Sequence, residues 1–224
     1  MTRQQSIWVK VCGTTSLRDA QLSVTAGANA LGFIFAPSPR QVEVETAKQI
    51  VAALGGEVEA IGIFVNESPA RVAAIANDAG LSGVQLHGEE APGQMADFRR
   101  ELGQRKIIKA LLVSSLQSNS DSQLEEYLDA HDSLDAVLLD SGSARQRGGS
   151  GVPFDWDEAS AIASRIRDSM PLIVAGGLNS GNVARAIELF QPWGIDVVSG
   201  VESTPGTKDE IKLRQFMSAV RQHQ

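Results

Sequence analysis

The stretches LIVAGGLNSGN (residues 172–182) and IDVVSGVESTPGTKD (residues 195–209) decide how this chain folds. Each is a short apolar, β-branched run that breaks into a glycine-rich loop and then gives way to a segment of helical period. The same alternation traces back through the chain. Strand candidates lie at Ile7–Cys12, Ala30–Phe35, Glu59–Val65, Gly83–Leu86, Ile107–Leu112, Ala136–Leu139, Leu172–Ala175 and Ile195–Ser199. Helix-like segments follow them, among them SLRDAQLSVTAG (16–27), SPARVAAIANDAG (68–80), FDWDEASAIASRIRDS (154–169) and GNVARAIELF (181–190). Several open on a Ser or Asp cap, and two end at a glycine suited to a left-handed cap. Strands this apolar, alternating with helices, indicate a parallel sheet covered by helices.

The number of units separates two architectures. Eight strand–helix units in 224 residues leave about 28 residues each, enough for a lean (β/α)8 barrel. A doubly wound open sheet would carry its phosphate loop, G-x-G-x-x-G, after the first strand, where this chain has CGTTS. The glycine-rich loops instead follow strands seven and eight, where barrels commonly bind phosphate. The expectation is one (β/α)8 TIM barrel domain spanning residues 1–224.

Composition narrows the function classes. A content of 42% hydrophobic and 21% charged residues is that of an ordinary globular protein. The net charge of −7 argues against nucleic acid as a bulk electrostatic partner. No apolar run reaches the length of a membrane span, and MTRQQSIWVK lacks the features of a secretory signal, so a cytoplasmic location is expected. A single cysteine excludes an internal disulfide and a cysteine-based zinc cluster. His87, His131 and His223 are scattered, and no metal or organic cofactor is expected. The exterior pattern leaves monomer and homodimer open.

In such a barrel the chemistry sits at the C-terminal ends of the strands. Along the first strand Trp8, Lys10 and Cys12 share one face, and the aliphatic Ile7, Val9 and Val11 share the other. Lys10 and Cys12 should therefore point into the barrel. A lysine buried there needs a carboxylate, and its ammonium would favour the Cys12 thiolate. Asp140 ends AVLLD as a candidate acid–base group facing Cys12 from strand six, with an N-cap role as the alternative. The following segment Ser141–Pro153, with Gly148, Gly149 and Gly151, reads as a lid or binding loop. Arg145 and Arg147 within it read as solvated charge. Arg40, in APSPR after strand two, suits bidentate binding of a carboxylate or simple solvation. Gly177, Ser199 and Gly200, in the loops after strands seven and eight, suit an anion that approaches the backbone closely.

Taken together, KVCG, FAPSPR, GVQLHG, LLD…GGSGVPFDW, VAGGLNSGNV and DVVSGVESTPGTKD resemble the phosphoribosylanthranilate isomerases of tryptophan biosynthesis, in order, from Lys10 to Asp209. Two departures are Thr14, where the family usually has an aliphatic residue, and Ser150, where it usually has threonine. The resemblance implies an Amadori rearrangement of N-(5'-phosphoribosyl)anthranilate to 1-(2-carboxyphenylamino)-1-deoxyribulose 5-phosphate without a cofactor. It implies Asp140 as the general acid at the ring oxygen, with its pKa raised, and Cys12 as the general base at C2′. It further implies Arg40 at the anthranilate carboxylate, Asp196 near the amine and His87 in the substrate-binding set. The phosphate would rest on Gly149, Gly177, Ser199 and Gly200. Competing readings are a pentose-phosphate epimerase, an indole-glycerol-phosphate synthase, and a barrel that binds a phosphorylated ligand without turning it over.

Overall fold

The computed structural model describes residues 6–118, 121–140 and 156–223. Eight parallel strands close into a barrel in chain order: β1 (Trp8–Cys12), β2 (Ala30–Ile34), β3 (Glu59–Phe64), β4 (Gly83–Leu86), β5 (Lys106–Leu112), β6 (Ala136–Asp140), β7 (Leu172–Val174) and β8 (Gly194–Val197). Closure is made by β1 on β8, with Lys10 opposite Asp196. The helices alternate with the strands: α1 (Leu17–Ala26), α2 (Val44–Leu54), α3 (Pro69–Asp78), α4 (Met95–Leu102), α5 (Val113–Ser118), α6 (Asp121–Asp129), α7 (Trp156–Ser169), α8 (Val183–Phe190) and α9 (Glu210–Arg221). The β5–β6 connection thus holds two helices. A hairpin, β9 (Glu202–Thr204) with β10 (Thr207–Lys208), also separates β8 from α9.

Local chemistry explains the boundaries. The Ser16 side chain accepts from the Asp19 N–H to open α1, and Gly27 closes it at φ 108°. Ser68 does the same for Arg71 at the start of α3, with Pro69 in the first turn. Several strands end one or two residues before the apolar runs do. Phe35, Val65, Ala175, Val198 and Ser199 lie past the last paired residue, at the mouth of the barrel.

Side-chain alternation sorts the strands as expected. Val9, Val11, Leu31 and Phe33 join the helices in the main core. Trp8, Ala30, Ile61, Ile108, Ala136, Leu138 and Ile173 form a second cluster inside the barrel. At its N-terminal end Trp8 stacks on Trp193 at 5.0 Å, and the Lys106 ammonium lies over both rings while pairing with Glu59. Each fully buried aliphatic side chain contributes about 1.5–3 kcal/mol. The buried Lys10–Asp196 pair, by contrast, is worth little to stability relative to an apolar pair of the same volume. The apolar layers hold the barrel together.

Candidate active site

The C-terminal mouth of the barrel holds a cavity of about 310 Å³. Its wall includes Cys12, Arg40, His87, Asp140, Asp196, Gly177 and Ser199. Seven candidates drawn from six strand ends or their loops thus meet in one pocket. Gly200 does not line it. A carbon placed on Gly200 would lie 1.9 Å from the Leu178 carbonyl oxygen, so this glycine lets the β8 loop press against the β7 loop. Gly149, and with it the segment 141–155 containing Gly148, Gly151, Arg145 and Arg147, lies outside the described residues.

Cys12 is buried at the end of β1. Its sulfur has room because β2 carries Gly32 opposite, where an added carbon would stand 2.5 Å from Sγ. Below it the Lys10 ammonium donates to Asp196 Oδ1 at 2.8 Å, the carboxylate partner that a buried lysine requires. Burial alone would lower the Lys10 pKa, but Asp196, helped by Cys12, holds it above the ordinary lysine value.

The thiol departs from expectation. Burial pushes the Cys12 pKa up, Lys10 and Lys208 pull it down, and Asp196 opposes them, so the net direction is upward. The sequence shows the ammonium of Lys10 two residues away. It does not show that Asp196 spends that charge locally, or that water is kept from the sulfur.

Asp140 is the last residue of β6 and is buried, with Leu112 of β5 opposite. His87 stands 3.5 Å away, Nε2 to Asp140 Oδ2, and its Nδ1 lies 2.7 Å from Gln85 Nε2. The His87 backbone is anchored to the Phe64 carbonyl. From outside the barrel, the buried Lys109 donates to the Leu86 and Gly88 carbonyls on either side of it and to Glu90.

Arg40 is not merely solvated. Its Nε and Nη2 grip Glu202 at 2.6–3.0 Å, leaving Nη1 without a partner among the described residues. Its stem crosses the mouth of β1, where a carbon on Gly13 (φ 74°) would meet Arg40 Cδ at 2.7 Å. Gly13 therefore makes room for the arginine as well as turning the chain. Glu202 and Lys208 are the partners that the sequence reading overlooked. The signal was present in ESTPGTK, where a Pro-Gly turn between short polar arms marks a hairpin that brings the two charges together.

The anion end is built by the β7 and β8 loops. Gly176 and Gly177 take positive φ (92° and 62°). Asn179 and Asn182 amides donate to the Gly177 carbonyl, which turns that peptide so its neighbours can face the cavity. A short 3₁₀ helix opens at Ser199. Among the described residues no group of three or more His, Cys, Asp or Glu is placed to hold a metal ion. No helix among them is long and apolar enough to cross a membrane.

The comparisons with known proteins agree over the length of the chain. The profile of the N-(5'-phosphoribosyl)anthranilate (PRA) isomerase family matches residues 9–219. An N-(5'-phosphoribosyl)anthranilate isomerase from Pelobacter propionicus is 43% identical over 217 residues, 96% of each chain. The crystal structure of phosphoribosyl anthranilate isomerase from Thermotoga maritima superposes with a TM-score of 0.80 at 36% identity, covering 96% of this chain and 99% of that one. A phosphoribosyl anthranilate isomerase solved in complex with reduced 1-(o-carboxyphenylamino)-1-deoxyribulose 5-phosphate superposes at 0.77 with 35% identity, covering 96% and 99%.

Proposed function

Because the chain belongs to the N-(5'-phosphoribosyl)anthranilate isomerase family, we propose that Cys12 and Asp140 carry the two proton transfers of its reaction. The enzyme isomerises the aminoaldose N-(5'-phosphoribosyl)anthranilate to the aminoketose 1-(2-carboxyphenylamino)-1-deoxyribulose 5-phosphate, a step of tryptophan biosynthesis. One observation carries the residue assignment. Cys12 on β1 and Asp140 on β6 line one cavity, together with a cation on one side and the glycine loops of β7 and β8 on the other.

Asp140, protonated, gives its proton to the furanose oxygen; the C1′–O bond breaks and the nitrogen lone pair forms a Schiff base. The Cys12 thiolate then takes the C2′ proton, and the C–H electron pair shifts towards nitrogen to leave an enolamine. Tautomerisation gives the ketose, so the substrate and product are isomers and no oxidant or reductant enters. The upward shift of the Cys12 pKa makes the thiolate a stronger base but a scarcer one. The reactive form needs Cys12 ionised and Asp140 protonated, which gives a bell-shaped dependence of turnover on pH.

Nη1 of Arg40 takes the anthranilate carboxylate, and Asp196 lies on the wall near the amine. His87 packs against the acid. The phosphate rests on the backbone at Gly177 and Ser199, with Gly200 holding their loops together. This grip is remote from C1′ and C2′ and orients the reacting end. A reactive free thiol suits a reducing compartment, and we assign the enzyme to the cytoplasm on that ground.

The test is turnover of phosphoribosylanthranilate, followed by loss of its fluorescence. Cys12→Ser and Asp140→Asn should each lower kcat by orders of magnitude with the far-UV circular dichroism unchanged. Near-normal turnover in both variants would sink the assignment.

A further inference from the structure

The hairpin β9–β10 carries a buried charge cluster that no step above uses. Glu202 lies under the Arg40 guanidinium, and Lys208 reaches the same carboxylate at 3.0 Å. Lys208 also donates to the Cys12 carbonyl oxygen at 2.5 Å, which ties the hairpin to the end of β1. Both Glu202 and Lys208 are nearly inaccessible to solvent. One bond inside the hairpin and two from outside it hold it further. The Gly206 N–H donates to Glu202 Oε1, the Thr15 hydroxyl donates to the Gly206 carbonyl, and Lys212 of α9 donates to the Glu202 carbonyl.

Two features of this cluster bear on the ligand. Glu202 takes the Nε–Nη2 edge of Arg40, the edge best suited to a bidentate carboxylate, so a ligand meets the remaining Nη1 side. One carboxylate between two cations leaves one net positive charge at this wall, whereas Lys10 and Asp196 cancel. An Arg40–Glu202 pair alone would be neutral and would attract an anion weakly.

We propose that Glu202 and Lys208 are positioning residues for the carboxylate end of the substrate: Glu202 aims Arg40, and Lys208 restores the positive charge that Glu202 removes. The proposal rests on the assignment of Arg40 to the substrate carboxylate. It also makes the hairpin a specificity device, since a ring without the carboxylate gains nothing from it. Burial holds Lys208 below the ordinary lysine range, against the pull of Glu202.

Calorimetry with two reduced product analogues, one bearing the ring carboxylate and one lacking it, separates these roles without needing turnover. The full chain should bind the carboxylated analogue more tightly by roughly tenfold or more, the strength of a charge-assisted contact. Arg40→Ala should abolish that preference. If Arg40→Ala keeps it, the assignment of Arg40 is wrong and the proposal falls with it. If Arg40→Ala loses it while folded Glu202→Gln and Lys208→Met keep it in full, the positioning role alone is overturned. Lys208→Arg should retain the preference, which a merely structural account does not require of a binding ratio. The double variant Glu202→Leu/Lys208→Leu removes both partners together and leaves Arg40 charged but unheld. Its loss of preference is the expected result, and full preference in that variant refutes the aiming of Arg40.

Discussion

Gly32→Ala puts the placement of the proposed catalytic sulfur under direct test. Gly32 sits on β2 opposite Cys12 and has no part in the chemistry beyond leaving space. Its added methyl would stand 2.5 Å from Sγ and 3.0 Å from both Cα and Cβ of Cys12. Favourable heavy-atom contact needs about 3.5–4.0 Å, so the sulfur must retreat by roughly 1 Å. The strand backbone is itself only 3.0 Å from the added carbon, so the thiol has to leave its present position. A misplacement of about 1 Å costs on the order of 10²-fold in rate, and overpacking adds about 1–3 kcal/mol of destabilisation. For a chain of this length that corresponds to a melting temperature lower by roughly 2–12 °C. The variant should therefore melt as a folded barrel while kcat/KM for phosphoribosylanthranilate falls about a hundredfold. Unchanged kcat/KM in a folded Gly32→Ala protein would refute the reasoning, because the sulfur cannot keep its position beside that methyl.

Three further outcomes follow from buried polar groups. Lys10→Met leaves Asp196 uncompensated in the barrel and should destabilise by about 3–5 kcal/mol in urea titration, whereas adding Asp196→Leu to it should recover most of the loss. No recovery in the double variant would mean that the pair is held by more than its charges. Thr14 is fully buried, and its hydroxyl finds no partner among the described residues, so Thr14→Val should raise the melting temperature or leave it unchanged; a clear drop would show that the hydroxyl is used. Glu90 and Glu202 are held below the ordinary carboxylate range, against the effect of burial, by Lys109 and by Arg40 with Lys208 respectively. Unfolded glutamates titrate near about 4.3, so this stabilisation is fully present above that pH and is lost as pH falls through the lower folded values. The melting temperature should hold from neutral pH to about 5 and then fall, and Lys109→Met should flatten the fall; an equally steep fall in that variant would remove Glu90 from the account.

The barrel was legible because its signals are local. An apolar β-branched run, a capping serine and a glycine at a left-handed position each act within a few residues, and their repetition gave all eight strands. Cys12, Asp140 and the β7 and β8 loops were legible for the same reason, since strand ends fix the mouth of the barrel. The second helix between β5 and β6 and the β9–β10 hairpin were missed. Both are short, and short segments draw their stability from packing rather than from their own period.

The sequence by itself determined the alternation, the inward register of Lys10 and Cys12, and the need of Lys10 for a carboxylate. Only the tertiary structure decided which carboxylate that is, and that the Arg40 fork is taken on one edge by Glu202 while Lys208 bridges Glu202 to Cys12. It also turned the expected drop in the Cys12 pKa into a rise. The physical reason is that charge pairing and desolvation depend on distances across the barrel. Arg40 meets Glu202 across 162 residues of chain, and Lys10 meets Asp196 across 186.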